Sequence, residues 1–203
     1  MSTTWLDGFD ELNTARYENV SNMNVWSAGG WFEYGYALKS AAAGALTSFR
    51  TPLLESDDMV VVGMAIRASS PADHAFLRFM DISGNTLLTV EMTGDASTIT
   101  FNVRLGSITG MVIGTFSMAA SLTDRQYLEF KVIAADDPDG YWEARINGST
   151  IAYGEDVQTT SGATAIRKVI FGLQDDGASG DIMIDDLYII NSLGSVNNDF
   201  LGD

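Results

Sequence analysis

The sequence contains no cysteine, one histidine, 3 prolines and only 11 basic residues against 27 acidic ones. Without cysteine there are no disulfides, thiolate zinc sites or cysteine nucleophiles, and the redox compartment leaves no mark on the chain. The single histidine, His74 in "SSPADHAFLRF", gives one chance of an imidazole base, and no G-x-S-x-G elbow or other nucleophile setting stands near it. A formal net charge of −16 repels phosphate and anionic headgroups, so neither nucleic acid nor an acidic membrane is an expected partner. No apolar run approaches the roughly 18 residues that suggest a membrane span. The opening "MSTTWLDGFDELN" has neither the basic start nor the apolar stretch of an export signal, and none is expected.

What the chain does have is alternation. In "TITFNVRLG", Ile99, Phe101, Val103 and Leu105 point one way while Thr98, Thr100, Asn102 and Arg104 point the other, the period of a half-buried antiparallel strand. "YLEFKVIA" repeats it, with Leu128, Phe130 and Val132 inward and Glu129 and Lys131 outward, close enough to pair weakly. In "YWEARINGSTIAYG" the same pattern meets Asn147-Gly148, the dipeptide that best accepts the two positive φ angles of a type I′ hairpin. "MVVVGMAIRA" reads as a central strand, "FLRFMDISGNTLLTVEMT" as two strands around Ser83-Gly84-Asn85, and "GMVIGTFSMA", "AIRKVIFGLQ" and "DIMIDDLYII" as further strands. About ten short strands between Gly, Asn, Asp and Ser clusters predict an all-β, two-sheet antiparallel jelly-roll sandwich over residues 1–191. Helical signal is thin, confined to "ALKSAAAGAL" and a short stretch around Glu11. Residues 192–203 turn polar and end on Phe200 and Leu201, a composition suited to an arm that orders against a partner's groove.

Chemistry-bearing motifs are sparse. The paired carboxylates of a glycoside hydrolase are not evident: Glu91 and Glu143 have outward parity, and no E-x-D-x-x-E row lies on one strand face. Asp136, Asp137 and Asp139 form one oxygen-rich cluster, and Asp175, Asp176, Asp181, Asp185 and Asp186 another. Such oxygens suit a hard cation, and the second cluster is a candidate calcium site through Asp175, Asp176, Asp181 and Asp185, but neither has EF-hand spacing and turn chemistry is the preferred reading. No cofactor is expected to be required. Adjacent Asp185 and Asp186 imply a β-bulge that turns both outward, or one buried carboxylate bonded by backbone amides near Asp7 and Gly8, with a metal ligand as the functional alternative and the structural role preferred. Trp26, Trp31, Phe32, Tyr34 and Tyr36 form the densest aromatic group. Core filling is preferred for it, and stacking on a sugar through Trp26, Trp31, Tyr34 and Tyr36 is the functional alternative.

The segments "WLDGFD", "VWSAGGWFEYGYALKS", "SFRTPL", "YLEFKV", "YWEARINGSTIA", "IDDLYI" and "GSVNNDFLGD" together resemble tailed-bacteriophage virion proteins with a concanavalin A-like, laminin G-like sandwich. The resemblance implies a two-sheet jelly roll whose first segment pairs near its last. It implies a non-enzymatic structural component of the virion, as capsid decoration or on the tail or a fibre, made in the host bacterial cytoplasm and displayed on the particle surface. Its expected partners are other virion proteins and further copies of itself, reached through Ser195, Val196, Asn197, Asn198, Phe200 and Leu201. The alternative is a carbohydrate-binding module that contacts host-surface glycans.

Overall fold

A computed structural model describes residues 5–7, 16–21, 23–26, 37–40, 46–52, 54, 57–68, 73–160, 162–174, 182–193 and 199–201. The strands are β1 (Trp5–Asp7), β2 (Glu18–Ser21), β3 (Met23–Trp26), β4 (Ala37–Ser40), β5 (Leu46–Arg50), β6 (Met59–Ala68), β7 (His74–Met80) and β8 (Thr86–Gly94). They continue with β9 (Thr98–Leu105), β10 (Val112–Ala119), β11 (Ser121–Ile133), β12 (Gly140–Ile146), β13 (Ser149–Val157), β14 (Lys168–Gln174) and β15 (Ile182–Asn191). Sheet A runs β13-β12-β11-β6-β15-β4-β3 with β1 also on β15, and sheet B runs β10-β9-β8-β7-β14-β5-β2. The neighbouring pairs are antiparallel throughout, which makes the all-β, two-sheet sandwich a finding.

The strands exceed the expected ten because short pieces near the N-terminus also pair. "ALKSAAAGAL" is not helical where it is described: Ala37–Ser40 pairs as β4 and Leu46 opens β5. Its alanines favour a helix intrinsically, but the sheet pairing of Leu38 with Ile184, both buried, overrides that weak preference. The stretch around Glu11 lies outside the described residues.

The core is the layer between the sheets. Phe130 and Trp142 of sheet A meet Phe79 and Phe116 of sheet B, with ring centroids 5.8 Å apart for Phe79–Phe130 and 6.5 Å for Phe116–Trp142. Phe101 stacks on Phe116 at 4.6 Å, and Phe49 on Phe171 at the other end at 4.6 Å. These inward rows fix which residues face out. Two turns have the expected chemistry: Asn147 and Gly148 both take positive φ, 50° and 75°, and at Gly84, φ 88°, the Asp81 carboxylate accepts the Asn85 amide.

The β15 ladder contains the bulge implied by the paired aspartates. Register slips between Asp185 and Tyr188, and Asp186 takes a φ of 47°. Asp185 is buried and accepts the Asp186 amide, while β1 pairs alongside through Asp7 and Leu187. The slip aims Tyr188 outward over Gly63, where a Cβ would lie 2.1 Å from the ring. Its hydroxyl donates to the fully buried Glu129. Glu129 and Lys131 are therefore matched to other partners than each other: Lys131 pairs with Asp199 at 3.1 Å. The chain returns over this outer face of sheet A, with Phe200 lying on Arg145, 3.8 Å from guanidinium to ring centre, and the Leu201 amide donating to Tyr188 Oη.

Two predictions follow from this packing. Gly63→Ala forces the Tyr188 ring aside, and overpacking of this kind costs about 1–3 kcal/mol; the shift should appear in the urea midpoint, and an unchanged midpoint would show that the ring yields freely. Burial pushes the Asp199 carboxyl up, but the Phe200 amide and Lys131 outweigh it and hold the carboxyl below its usual 3.8. A depressed carboxylate contributes its stability above the unfolded value and loses it as pH falls through the folded one. Acidification below 3.8 should therefore loosen Asp199–Leu201, read as faster exchange of the Leu201 amide, with Asp199→Asn showing the fast exchange already at neutral pH.

Candidate functional site

The two outer faces treat their charges differently. On sheet A many polar side chains satisfy one another, although half-buried Arg67 on β6 also keeps a buried Nε without an acceptor. Glu143 accepts from Tyr141, Arg145 and Thr150, so that despite burial, which pushes it up, its carboxyl is held below the usual range. Glu129 is bonded by Tyr188, Lys131 by Asp199, and Arg145 is covered by Phe200. The Tyr188 phenol is pushed up by burial and by Glu129.

Sheet B is built otherwise. Directly opposed residues on neighbouring strands share a face, and the registers place Glu18, Arg50, Ile170, Arg78, Thr89, Arg104 and Val112 in one row across all seven strands. Their sequence neighbours Phe49, Val169, Phe79, Leu88 and Val103 are core residues, so this row faces outward. A second row passes through Ala75, Glu91, Asn102 and Thr115. Lys168, opposite Met80, sits beside the first.

Most groups in these rows are committed. Arg104 donates to Glu91 at 2.8 Å and to the Gly110 carbonyl at 2.9 Å, and Asn102 donates to the same Glu91 oxygen while accepting from Thr115. The Thr89 hydroxyl donates to the Gly106 carbonyl. Arg50 pairs with Glu18 at 3.0 Å, and Lys168 approaches that carboxylate at 3.8 Å.

Arg78 is the exception. It lies half-buried on the middle strand with no hydrogen bond or ion pair among the described residues, its Nε is buried without an acceptor, and burial alone pulls the guanidinium below its ordinary range. On the same face Ala75, Gly172 and Ser48 carry little side chain, with Ala75 and Ser48 half-buried and Gly172 buried. Gly172 is required, since a Cβ would stand 2.2 Å from the Ala75 carbonyl oxygen. Along its row Arg78 therefore has apolar Ile170 on one side and the buried Thr89 on the other.

The sequence-derived candidates fall elsewhere. Trp26 ends β3, opposite Ala37; Trp31, Tyr34 and Tyr36 lie outside the described residues, as do Asp175, Asp176 and Asp181. Asp185 is buried in the β15 bulge, and no group of three His, Cys, Asp or Glu residues placed to hold a metal occurs among the described residues. Of the arm, Ser195, Val196, Asn197 and Asn198 are outside the described residues, Phe200 is half-buried against the chain's own sheet A, and Leu201 is exposed. His74 is buried at the start of β7. Glu91 and Glu143 face outward as expected, on opposite sheets. Arg78 drew no notice in the sequence, although the alternation in "FLRFM" already gives it outward parity.

No family model matches the sequence, and no curated protein matches it either. Solved structures do. The endo-β-1,4-glucuronan lyase of the fungus Trichoderma reesei is 14% identical, with 97% of this chain and 99% of that one covered at a TM-score of 0.63. A mutant of alginate lyase Aly36B in complex with alginate tetrasaccharide is 13% identical over 93% and 97%, at 0.60. The carbohydrate esterase vb_24B_21 from Shiga toxin-encoding bacteriophage phi24B is 14% identical over 94% and 99%, at 0.61. Identities this low establish the shared sandwich fold. They overturn the expectation of a non-enzymatic chain: this sandwich, over nearly the whole length, is one on which two lyases and an esterase are built, so a scarcity of familiar motifs is no ground for excluding catalysis.

An uncompensated half-buried charge destabilises its own fold. Arg78→Met keeps the length and removes the charge, and should raise stability by about 0.5–2 kcal/mol, measured by denaturant unfolding. A lower midpoint would mean that Arg78 contributes to folding through contacts of its stem.

Proposed function

We propose that the protein is a carbohydrate-recognising β-sandwich that binds its glycan on the outer face of sheet B. The observation that carries the reading is the half-buried, unpaired Arg78 at the centre of a face whose other cations are paired with carboxylates. A protein tolerates such a group where a ligand completes it, and strained or unsatisfied features of this kind gather at functional sites. Support comes from the similar structures, one of them holding an alginate tetrasaccharide and another belonging to a phage carbohydrate esterase. Ala75 and Ser48 place no bulky side chain on this face, and Ile170, opposite Arg78, offers an apolar patch to a ring's C–H face.

A setting on a phage particle remains part of the proposal. It rests on the sequence resemblance and adds the place where such a face would act, with the C-terminal arm as the element that docks onto neighbouring subunits.

The site is tested sterically. A panel of alginate, glucuronan, chondroitin sulfate, neutral glucan and neutral xylan is run in affinity electrophoresis, with new reducing ends measured in parallel to detect cleavage. The wild-type chain should be retarded by at least one polymer. Ala75→Trp, which sets a bulky ring on the same face as Arg78, should abolish retardation, whereas Tyr153→Ala on sheet A should leave it unchanged. Retardation that survives Ala75→Trp would move the site off this face, and no retardation by any polymer would remove the carbohydrate reading.

A further inference from the structure

We infer that the glycan taken by the sheet B face is anionic, and that its carboxylate or sulfate group seats on the Arg78 guanidinium. The inference rests on the reading of this face as a carbohydrate site and adds the chemistry of what it binds.

Elimination leads to it. A neutral sugar is held by exchanging hydroxyl hydrogen bonds with committed donors and acceptors, and on this face those groups already have partners. Glu91 is engaged by Arg104 and Asn102, the Asn102 oxygen accepts from Thr115, Thr89 donates to a carbonyl, and Arg50 and Lys168 share Glu18. What remains is the buried Nε of Arg50, whose charge Glu18 already meets, and Arg78, a planar fork of N–H donors carrying a full charge with no carboxylate beside it among the described residues. A hydroxyl accepting from it would satisfy a donor and leave the charge uncompensated. A carboxylate or sulfate does both, and a carboxylate fits the fork with two parallel hydrogen bonds.

The surroundings agree. The two rows and Lys168 carry four cations, Arg50, Arg78, Arg104 and Lys168, against two carboxylates, Glu18 and Glu91, within a chain of net charge −16. A local excess of this sign is the reverse of the molecule as a whole. Its size also limits the ligand: one free guanidinium suits a chain with an isolated anionic group on a sugar. It does not suit a nucleic acid, whose affinity comes from many simultaneous cation contacts.

The experiment removes charge from the ligand and the protein separately. Whichever polysaccharide retards the wild-type chain is carboxyl-reduced, which turns uronates into neutral hexoses, or desulfated. The treated polymer should bind about tenfold more weakly or worse, since losing the partner of a buried charge forfeits more than 1.4 kcal/mol. Which treatment acts identifies the anion. Arg78→Met, whose own midpoint of unfolding shows it folded, should lose the same affinity with the native polymer and show no further loss with the treated one. Retention of a neutral polymer in preference to the acidic ones, or unchanged affinity in Arg78→Met, would overturn the inference. If Ala75→Trp still abolishes binding in that case, the site stands and only the anionic chemistry falls.

Discussion

Everything on the surface of this molecule is set by the interlocking of aromatic rows between its sheets. Phe79 and Phe116 of one sheet against Phe130 and Trp142 of the other leave each strand a single admissible register, because a slip by one residue would send the core rings to solvent. Once that register is fixed, the outward residues are fixed with it. Seven strands then deliver Glu18, Arg50, Ile170, Arg78, Thr89, Arg104 and Val112 to one line, though they are scattered from residue 18 to residue 170 in the chain. The apolar interior thus assembles the polar face, and does so without any contact among the polar residues having to drive it.

The two faces then diverge in how their charges are met. Sheet A closes in on itself: Tyr188 over Gly63, Glu129 beneath it, and Asp199–Leu201 laid across Lys131 and Arg145. Each partner lowers the cost of burying the next, and the result is a small second cluster with Met59, Val61 and Ile190. Sheet B stops one partner short. Its other row cations, Arg50 and Arg104, are paired with carboxylates and Arg78 is not; on sheet A, Arg67 likewise keeps a buried Nε without an acceptor, but at the edge of the network around Glu129 and Glu143 and not at its centre.

The fold was legible because strand signals are local. Ile99, Phe101 and Val103, or Leu128, Phe130 and Val132, announce their faces from the sequence alone, and Asn147-Gly148 announces its turn. The short N-terminal strands were not, since β4 and β5 are held by pairing with distant β15 and β14 and "ALKSAAAGAL" has no strand pattern of its own. The site was illegible for a related reason. Arg50, Arg78 and Arg104 each read as an ordinary outward cation, and only long-range pairing reveals that two of them acquire carboxylates and one does not. The conspicuous sequence features are dense clusters, the aspartates and the aromatics, whereas the informative residue is isolated. A β15 bulge was one reading of Asp185 and Asp186, because two adjacent carboxylates cannot both avoid the core in a regular strand, but the bulge that forms leaves Asp185 buried instead of turning both outward.

A strongly acidic body with a small basic row poses a final question of range. The net charge of −16 repels any anionic polymer at a distance, so this face gains nothing from long-range steering. At physiological ionic strength, however, charges more than about 8 Å apart are largely screened, and the repulsion from the rest of the surface fades while a contact at Arg78 persists. Half-burial protects that contact further, since the guanidinium is already partly desolvated by its own sheet and has no competing carboxylate to leave. Such a design admits an anion only after close approach and correct fit. Discrimination then rests on geometry at one arginine, the stability lost to that charge being offset when the ligand arrives.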